Sequence, residues 1–529
     1  MAIHLINASR WPSLSDESIT LYSSLKQPTS LQLPKWDTFF SPFAMVLVNH
    51  RTQEIFLWRD HFGQEPLYYF SQSHQFIFSS NLPDLLNTLK PRPALLSQVV
   101  ERDCFYRMAH TRALYTNQTH YDGVYRVEPG HAVRIHQGIT KSEPYWQLDP
   151  ERKSLSYAND KDYLEHFSWL LSEAVKSCTK GHQKIAAEIS GGVDSTAIAV
   201  ACHKAKIPFS SLSHVATPGS DKTDDFAFAH RMQEHLDLPA IQCIGADNFE
   251  PLKTFDWAAQ LFAGSPSFIF FTLANNIHRR VAEQGHTLLL SGFGGDECVS
   301  GHAIYNAYIP SLLREKGWLE AYQELYQDQF YRERQKKPPW IKIALEVLSR
   351  SNAPSYKIFS RLNQLRHFGE ETSRIDHYFS SIAHFEYELL QGEFCHHVRM
   401  RIEQSAIIAK ALGFSYAYPL LYPPLVEFCF SLPAQQKRRF GRSRHLIRQF
   451  LTQHLPTDAF GFNKSSGNIL PATLYKCEQL FKSDYFNEAF SNLPFADKIA
   501  LEDNDRLRLF MNISAYMIKR FTQTYVPMQ

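Results

Sequence analysis

Two short loops concentrate the residue types that handle a charged phosphate. The first is Ser190, Gly191, Gly192, Val193, Asp194, Ser195 and Thr196, between the apolar run 184–189 and a further apolar stretch. This order reads as strand, tight loop and helix. The glycines let backbone N–H groups close on an anion, and the helix start adds the positive end of its dipole. Asp194 sits inside that cradle, where phosphate repels a carboxylate unless a divalent cation joins the two. The loop has no Gly-Lys-Ser/Thr ending, which excludes the P-loop of kinases and GTPases. The second loop runs from Ser291 through Gly292, Phe293, Gly294, Gly295 and Asp296 to Glu297, after the strand-like run 287–290. Its Asp296 is placed to meet Asp194 across the top of a sheet, giving Mg²⁺ on a triphosphate two carboxylates.

Such loops need a parallel sheet to hold them side by side. Strand-like runs at 209–215, 240–244 and 287–291 alternate with helical ones at 226–236 and 271–284, after an amphipathic helix at about 160–178. This pattern implies a parallel sheet wrapped by helices, with ligands at the carboxyl ends of its strands. Residues 303–466 read as mostly helical. Before residue 150 the chain is strand-rich, with short β-type runs at 43–48, 54–59, 67–70 and 75–79. A linker at 149–156 divides the chain into regions 1–150 and 151–529.

With 44% hydrophobic and 20% charged residues, 529 residues make a globular chain of two or three domains. A formal net charge of +2 is no polyanion-binding signature, so no nucleic-acid partner is expected. The N-terminus lacks a basic start followed by an apolar stretch, and no apolar run is long enough to span a bilayer. A cytoplasmic protein without a membrane partner is expected. Its eight cysteines are scattered without a CxxC, as for buried thiols in a reducing compartment. His396 and His397 lack partners at ligand spacing and read as helix-surface residues. The basic run 332–337 reads as a solvated helix end.

The first loop resembles the pyrophosphate loop of the ATP pyrophosphatases, which split ATP to AMP and pyrophosphate. Arg59, Asp60, Gly63, Pro66, Leu67, Tyr68 and Tyr69 resemble the signature of the glutaminase domain of asparagine synthetases. Residues 123–131 with Tyr145 and Trp146 resemble that domain's exit, and 291–297 resemble the second synthetase loop. Ordered matches continue at Leu412–Gly413, Pro419–Leu421, Leu432–Pro433, Leu455–Pro456 and Lys464–Gly467. On these the chain is identified as a member of the asparagine synthetase superfamily. The resemblance implies an α/β protein with two domains. Residues 1–150 would form an Ntn-hydrolase-like αββα domain, and residues 151–529 an adenine-nucleotide α-hydrolase-like domain. It also implies ATP and Mg²⁺ as cofactors. Ser190, Gly191, Gly192, Asp194, Ser195, Thr196 and Gly292 would contact ATP and pyrophosphate, and Asp194 and Asp296 would hold the metal.

The departures from that pattern point to the substrate. A glutaminase of this kind uses an N-terminal cysteine whose own α-amine is the base. Here the first cysteine is Cys104, and removal of Met1 would expose Ala2, so a relic domain that releases no ammonia from glutamine is expected. In asparagine synthetases the third position of the second loop is Glu, and a later motif reads Glu-x-Arg-x-Pro-Phe-Leu-Asp. Phe293, Ser415 and Ala417 replace those charges, so a more apolar pocket for a larger acyl donor is expected. The relatives that keep the fold without the cysteine are β-lactam synthetases and lasso-peptide cyclases. β-Lactam synthetases pair a Tyr in the second loop with a Glu before the conserved Pro. Counting back from Pro419 gives Glu403, but the Tyr is Phe293, which has no hydroxyl.

A peptide α-amine with a pKa of about 7.7–8.0 is already partly neutral, so closing a large ring on it asks less of a base than closing a strained lactam. A lasso-peptide macrolactam cyclase is therefore expected. The carboxylate of a precursor Asp or Glu would be adenylated, then attacked by the peptide's N-terminal amine. Glu403 would accept the proton, and Lys464 would stabilise the oxyanion or the departing AMP. A precursor peptide is the expected partner, with a leader peptidase and a leader-binding protein beside it. An ammonia-using asparagine synthetase, a β-lactam synthetase-like ligase, another amide ligase and an inactive nucleotide-binding module remain open.

Overall fold

The computed structural model describes residues 4–7, 12–15, 19–24, 39–72, 75–89, 117–214, 224–244, 250–263, 275–299, 305–327, 381–392, 395–439 and 442–461. Lys464, Ala2, Cys104 and the basic run 332–337 lie outside them.

The N-terminal region forms two sheets. One has the order β1 (His4–Asn7), β7 (Gln75–Ser79), β6 (Tyr68–Gln72), β8 (Val124–Arg126). The other runs β10 (Ile139–Pro144), β9 (His131–His136), β5 (Glu54–Arg59), β4 (Ala44–Asn49), β3 (Ile19–Ser23), β2 (Ser13–Ser15), all antiparallel. Side chains alternate along a strand. Ala44, Val46 and Val48 on one face of β4 share a core with Phe76 and Phe78 of the other sheet. Met45 and Leu47, on the opposite face, pack with Leu21, Phe43 and Trp58. The sheets therefore lie face to face, and the β runs read at 43–48, 54–59, 67–70 and 75–79 become β4 to β7. The helix Leu82–Thr88 packs on β7.

The second region is built on five parallel strands in the order β13 (Gln242–Ile244), β12 (Ser210–His214), β11 (Ile185–Glu188), β14 (Leu288–Leu290), β15 (Ser415–Ala417). The helix Asp160–Thr179 starts where the Asn159 side chain accepts a hydrogen bond from the Asp162 N–H at 3.1 Å. Its buried Tyr163, Phe167, Leu170, Leu171 and Ala174 recur at helical spacing. It lies against the helix Val193–Lys204, which is buried nearly all round. Each fully buried Leu or Phe in this layer contributes about 1.5–3 kcal/mol. The stretch 303–466, read as mostly helical, also contains β15 and the antiparallel two-residue strands Arg438–Arg439 and Arg442–Ser443. β15 has three residues, too few for a period-two pattern, and draws its strand character from pairing with β14.

Strand order fixes where a ligand goes. From β11 the chain winds outward to β12 and β13, then returns to β14 on the other side. The loops after β11 and β14 therefore flank the switch point, the crevice at which open α/β sheets bind ligands.

Two histidines lie near β12 and β15, His214 at the end of β12 and His278 on the helix Asn275–Glu283. His278 is fully buried and meets Tyr416 edge-on at 5.6 Å. Burial pushes His278 down to about 3 and His214 down to about 4. Below pH 6.5 the unfolded chain takes up protons that these folded imidazoles refuse, so their stabilisation is lost as pH falls. Relative to His278→Phe, the wild type should lose about 2 kcal/mol between pH 6.5 and 5. Parallel melting curves of the two proteins across that range would contradict the buried neutral imidazole.

Candidate active site

The first loop is tied together by its own serines. The Ser190 N–H donates to Ser195 Oγ at 3.2 Å, the two hydroxyls lie 3.1 Å apart, and the Gly192 N–H donates to Ser190 Oγ at 3.3 Å. Gly191 takes a φ of +71°, a left-handed turn that a β-carbon would strain. Gly192 then caps the helix Val193–Lys204 with no side-chain hydrogen bond, which leaves the first-turn N–H groups to an anion. Thr196 departs from its expected role. Its side chain is fully buried, with its hydroxyl unpartnered among the described residues.

The second loop packs directly on the first. A β-carbon at Gly292 would come 2.7 Å from the Ser195 nitrogen, and one at Gly295 would fall inside the Asp194 carboxylate. Only glycine permits this approach. Gly295→Ala should therefore displace Asp194 and abolish nucleotide binding while leaving the far-ultraviolet spectrum unchanged. Retention of wild-type ATP affinity by titration calorimetry would contradict the packing.

Asp194 and Asp296 do converge, and they converge on a cation. Arg444 Nη1 lies 2.6 Å from Asp194 Oδ2 and 2.9 Å from Asp296 Oδ1. Burial pushes Asp194 up to about 6, with Arg444 opposing and Asp296 reinforcing the rise. Burial, then Asp296, pushes neighbouring Glu297 up to about 7. Burial works against the Arg444 charge, but Asp194 and Asp296 outweigh it and raise its pKa. One turn along the helix His445–Thr452, Arg448 donates from Nε to the Ser443 carbonyl at 2.9 Å and from Nη1 to the Gly461 carbonyl at 3.4 Å. The Gly461 N–H in turn donates to the Gly191 carbonyl at 2.9 Å, so this segment also braces the first loop.

Phe293 is not an open apolar wall. It is 7% exposed, its ring meets Tyr418 edge-on at 5.7 Å, and the Arg401 guanidinium lies 4.0 Å from its centroid. The Phe293 ring thus lies under a half-buried cation.

Glu403 is placed differently from its expected role as proton acceptor. Its side chain is 3% exposed, one oxygen pairs with Arg59 Nη2 at 2.8 Å, and the other accepts from the Tyr68 hydroxyl at 2.8 Å. Arg401 and Glu403 are two residues apart on the helix His396–Leu412 and so face different ways, one to Phe293 and the other to the N-terminal sheets. A carboxylate engaged on both oxygens and cut off from solvent is a strut. Arg59 and Tyr68 belong to the glutaminase-type signature, and the turn after β5 aims Arg59. Asp60 accepts from the Phe62 and Gln64 N–H groups at 3.2 and 3.0 Å and from Glu65 N–H at 2.8 Å. Arg59 itself donates to the carbonyls of Gly63, Glu65 and Val127 at 2.8–2.9 Å. Arg399 to Glu128 at 3.4 Å and Lys410 to Glu65 extend the same interface along the helix.

Arg444, Arg448 and Arg401 have no signal in the sequence. They sit among other basic residues in ordinary helical or turn contexts, and only the fold brings them to the two loops. Among the described residues no group of three or more His, Cys, Asp or Glu is placed to hold a metal ion, and no helix is long and apolar enough to cross a membrane.

Fold and site define a two-part protein with a phosphate-type loop pair at the switch point of a parallel sheet. A family model described as "Asparagine synthase" matches residues 166–476, more than half of the chain, and one described as "Glutamine amidotransferase domain" matches residues 36–146. The chain belongs to the asparagine synthase family. It is 24% identical over 287 residues to "Asparagine synthetase (glutamine-hydrolyzing) 2" of Bacillus subtilis, covering 50% of this chain and 37% of that protein. It is 25% identical over 285 residues to "Amidase chry2" of Gibberella zeae, covering 50% of this chain and 40% of that protein. It thus spans less than half the length of these relatives.

Proposed function

We propose that the chain is an ATP-dependent amide ligase that forms AMP and pyrophosphate, and that it closes a macrolactam of the lasso-peptide type. The observation that supports the ligase chemistry is the convergence of Asp194 and Asp296 on one cation, beside a helix start with no side-chain cap among the described residues. Mg²⁺ fits there. The two carboxylates already share one positive nitrogen, and Asp194 Oδ1 is buried without a hydrogen-bond partner among the described residues. Two carboxylates plus phosphate oxygens are the usual donor set for this ion, which would neutralise charge on the triphosphate.

The chain's own groups divide the work. The loop N–H groups hold the leaving pyrophosphate, and the carboxylate of a precursor Asp or Glu displaces it by attacking the α-phosphorus. The N-terminal amine of the same peptide then attacks the acyl carbon, AMP leaves and a proton is released. Lys464, outside the described residues, is assigned the developing oxyanion. Glu403 is assigned to holding its helix. The precursor, with a leader peptidase and a leader-binding protein, would be the partners, in the cytoplasm.

The test incubates the purified chain with ATP, Mg²⁺ and candidate precursors. AMP and pyrophosphate should appear in step with a peptide that has lost one water. ADP and orthophosphate as products would overturn the ligase chemistry. Asparagine made from aspartate and ammonia would instead establish the synthetase reading that the Bacillus subtilis relative suggests.

A further inference from the structure

Arg444 is held in an unusual way for a buried arginine. Both of its ion pairs are made by the same nitrogen, Nη1, and its Nε is buried without a hydrogen-bond partner among the described residues. A guanidinium locked in place normally uses its planar fork, two parallel N–H donors on one carboxylate. Arg448 is locked in its own way, donating to two backbone carbonyls from the same helix. The residue is also strained. Arg444 caps the helix His445–Thr452 at φ +56°, a left-handed conformation costly for a non-glycine residue. A strained cation held at one nitrogen stands between the two carboxylates that the proposed function gives to Mg²⁺.

We propose that Arg444 is a built-in competitor of the divalent cation, with guanidinium and metal alternating on Asp194 and Asp296. The inference rests on the Mg²⁺–ATP reading above. Both carboxylates are already paired with the guanidinium, and a metal arriving alone would face that positive charge across a few ångströms. Phosphate oxygens remove that conflict by giving the arginine new acceptors. Metal and nucleotide should therefore bind cooperatively, each strengthening the other by the same factor. The device keeps the carboxylates paired until a triphosphate arrives.

Mn²⁺, followed by the electron paramagnetic resonance signal of the free ion, serves as the probe, with and without ATP or inorganic pyrophosphate. The variant is Arg444→Asn, because asparagine tolerates a left-handed φ and carries no charge. Arg444→Lys keeps the charge and controls for folding. In the wild type, Mn²⁺ should bind weakly alone and tightly with ATP. In Arg444→Asn it should bind alone about tenfold more tightly, within the usual range of coupling between sites, while the ATP-dependent gain shrinks. Asp296→Asn added to that variant should remove the gained site. Nucleotide-free Mn²⁺ affinity that is unchanged or weaker in Arg444→Asn, with Arg444→Lys folded, overturns the competition. If no protein binds Mn²⁺ even with ATP, the metal-dependent reading fails instead, and the two failures are told apart by the nucleotide arm.

Discussion

Replacing Asp194 with asparagine is expected to lower AMP-forming turnover by on the order of 10³-fold while leaving the melting temperature unchanged or raised. The loss follows from geometry. Asp194 is the carboxylate inside the phosphate loop, and the amide cannot replace its charge opposite a metal. The stability result follows from the sign of its pKa shift. Burial raises Asp194 to about 6, so near pH 7 its ionised form opposes folding, and removing the charge relieves that cost. The gain should vanish below pH 3.8, where both folded and unfolded chains hold the proton. Pyrophosphate–ATP exchange and thermal melting measure the two halves separately. Exchange within tenfold of wild type would remove Asp194 from the machinery.

The second large effect is structural. Arg59→Met should destabilise the protein by about 3–5 kcal/mol, the usual cost of leaving one partner of a buried ion pair uncompensated. Arg59 is fully buried and serves three carbonyls besides Glu403, so the upper part of that range is expected. Glu403→Met alone should cost a similar amount, yet the double variant should cost clearly less than the sum. Urea unfolding of the four proteins completes the cycle. Strict additivity would mean that the pair is not coupled. A Glu403→Gln variant that kept wild-type stability and lost only product formation would return Glu403 to the role of base.

Glycine and acid residues at strand ends made the two loops legible, because their chemistry is local. Strand, turn and helix start follow within a dozen residues, and the spacing itself implies an anion cradle. The pairing of Asp194 with Asp296 was legible for the same reason, since neighbouring parallel strands bring their ends together. Arg444 was not, because its partners lie far away in sequence and arginines at 438, 439, 442 and 444 read alike. Glu403 shows a different failure. Sequence spacing found the residue, but its role is decided by Arg59 and Tyr68, whose contact exists only after the two regions dock. Thr196 marks where the loop stops being uniform. Once the helix begins at Val193, its fourth residue is already fully buried.

Exchange experiments meet an obstacle in the docking of Arg59 and Tyr68 onto Glu403. A residue pattern that reads as equipment for glutamine belongs physically to the seam between the halves, where it fixes the helix that also carries Arg401. Transplanting the second half behind a foreign first domain would leave Glu403 as a buried charge without a counterion. A working chimera has to move the seam as one unit, with the turn 59–69 and the helix His396–Leu412 drawn from the same parent. A single cut in the exposed stretch near residue 152 separates the two sides of that seam, so the turn 59–69 has to be grafted along with the second half.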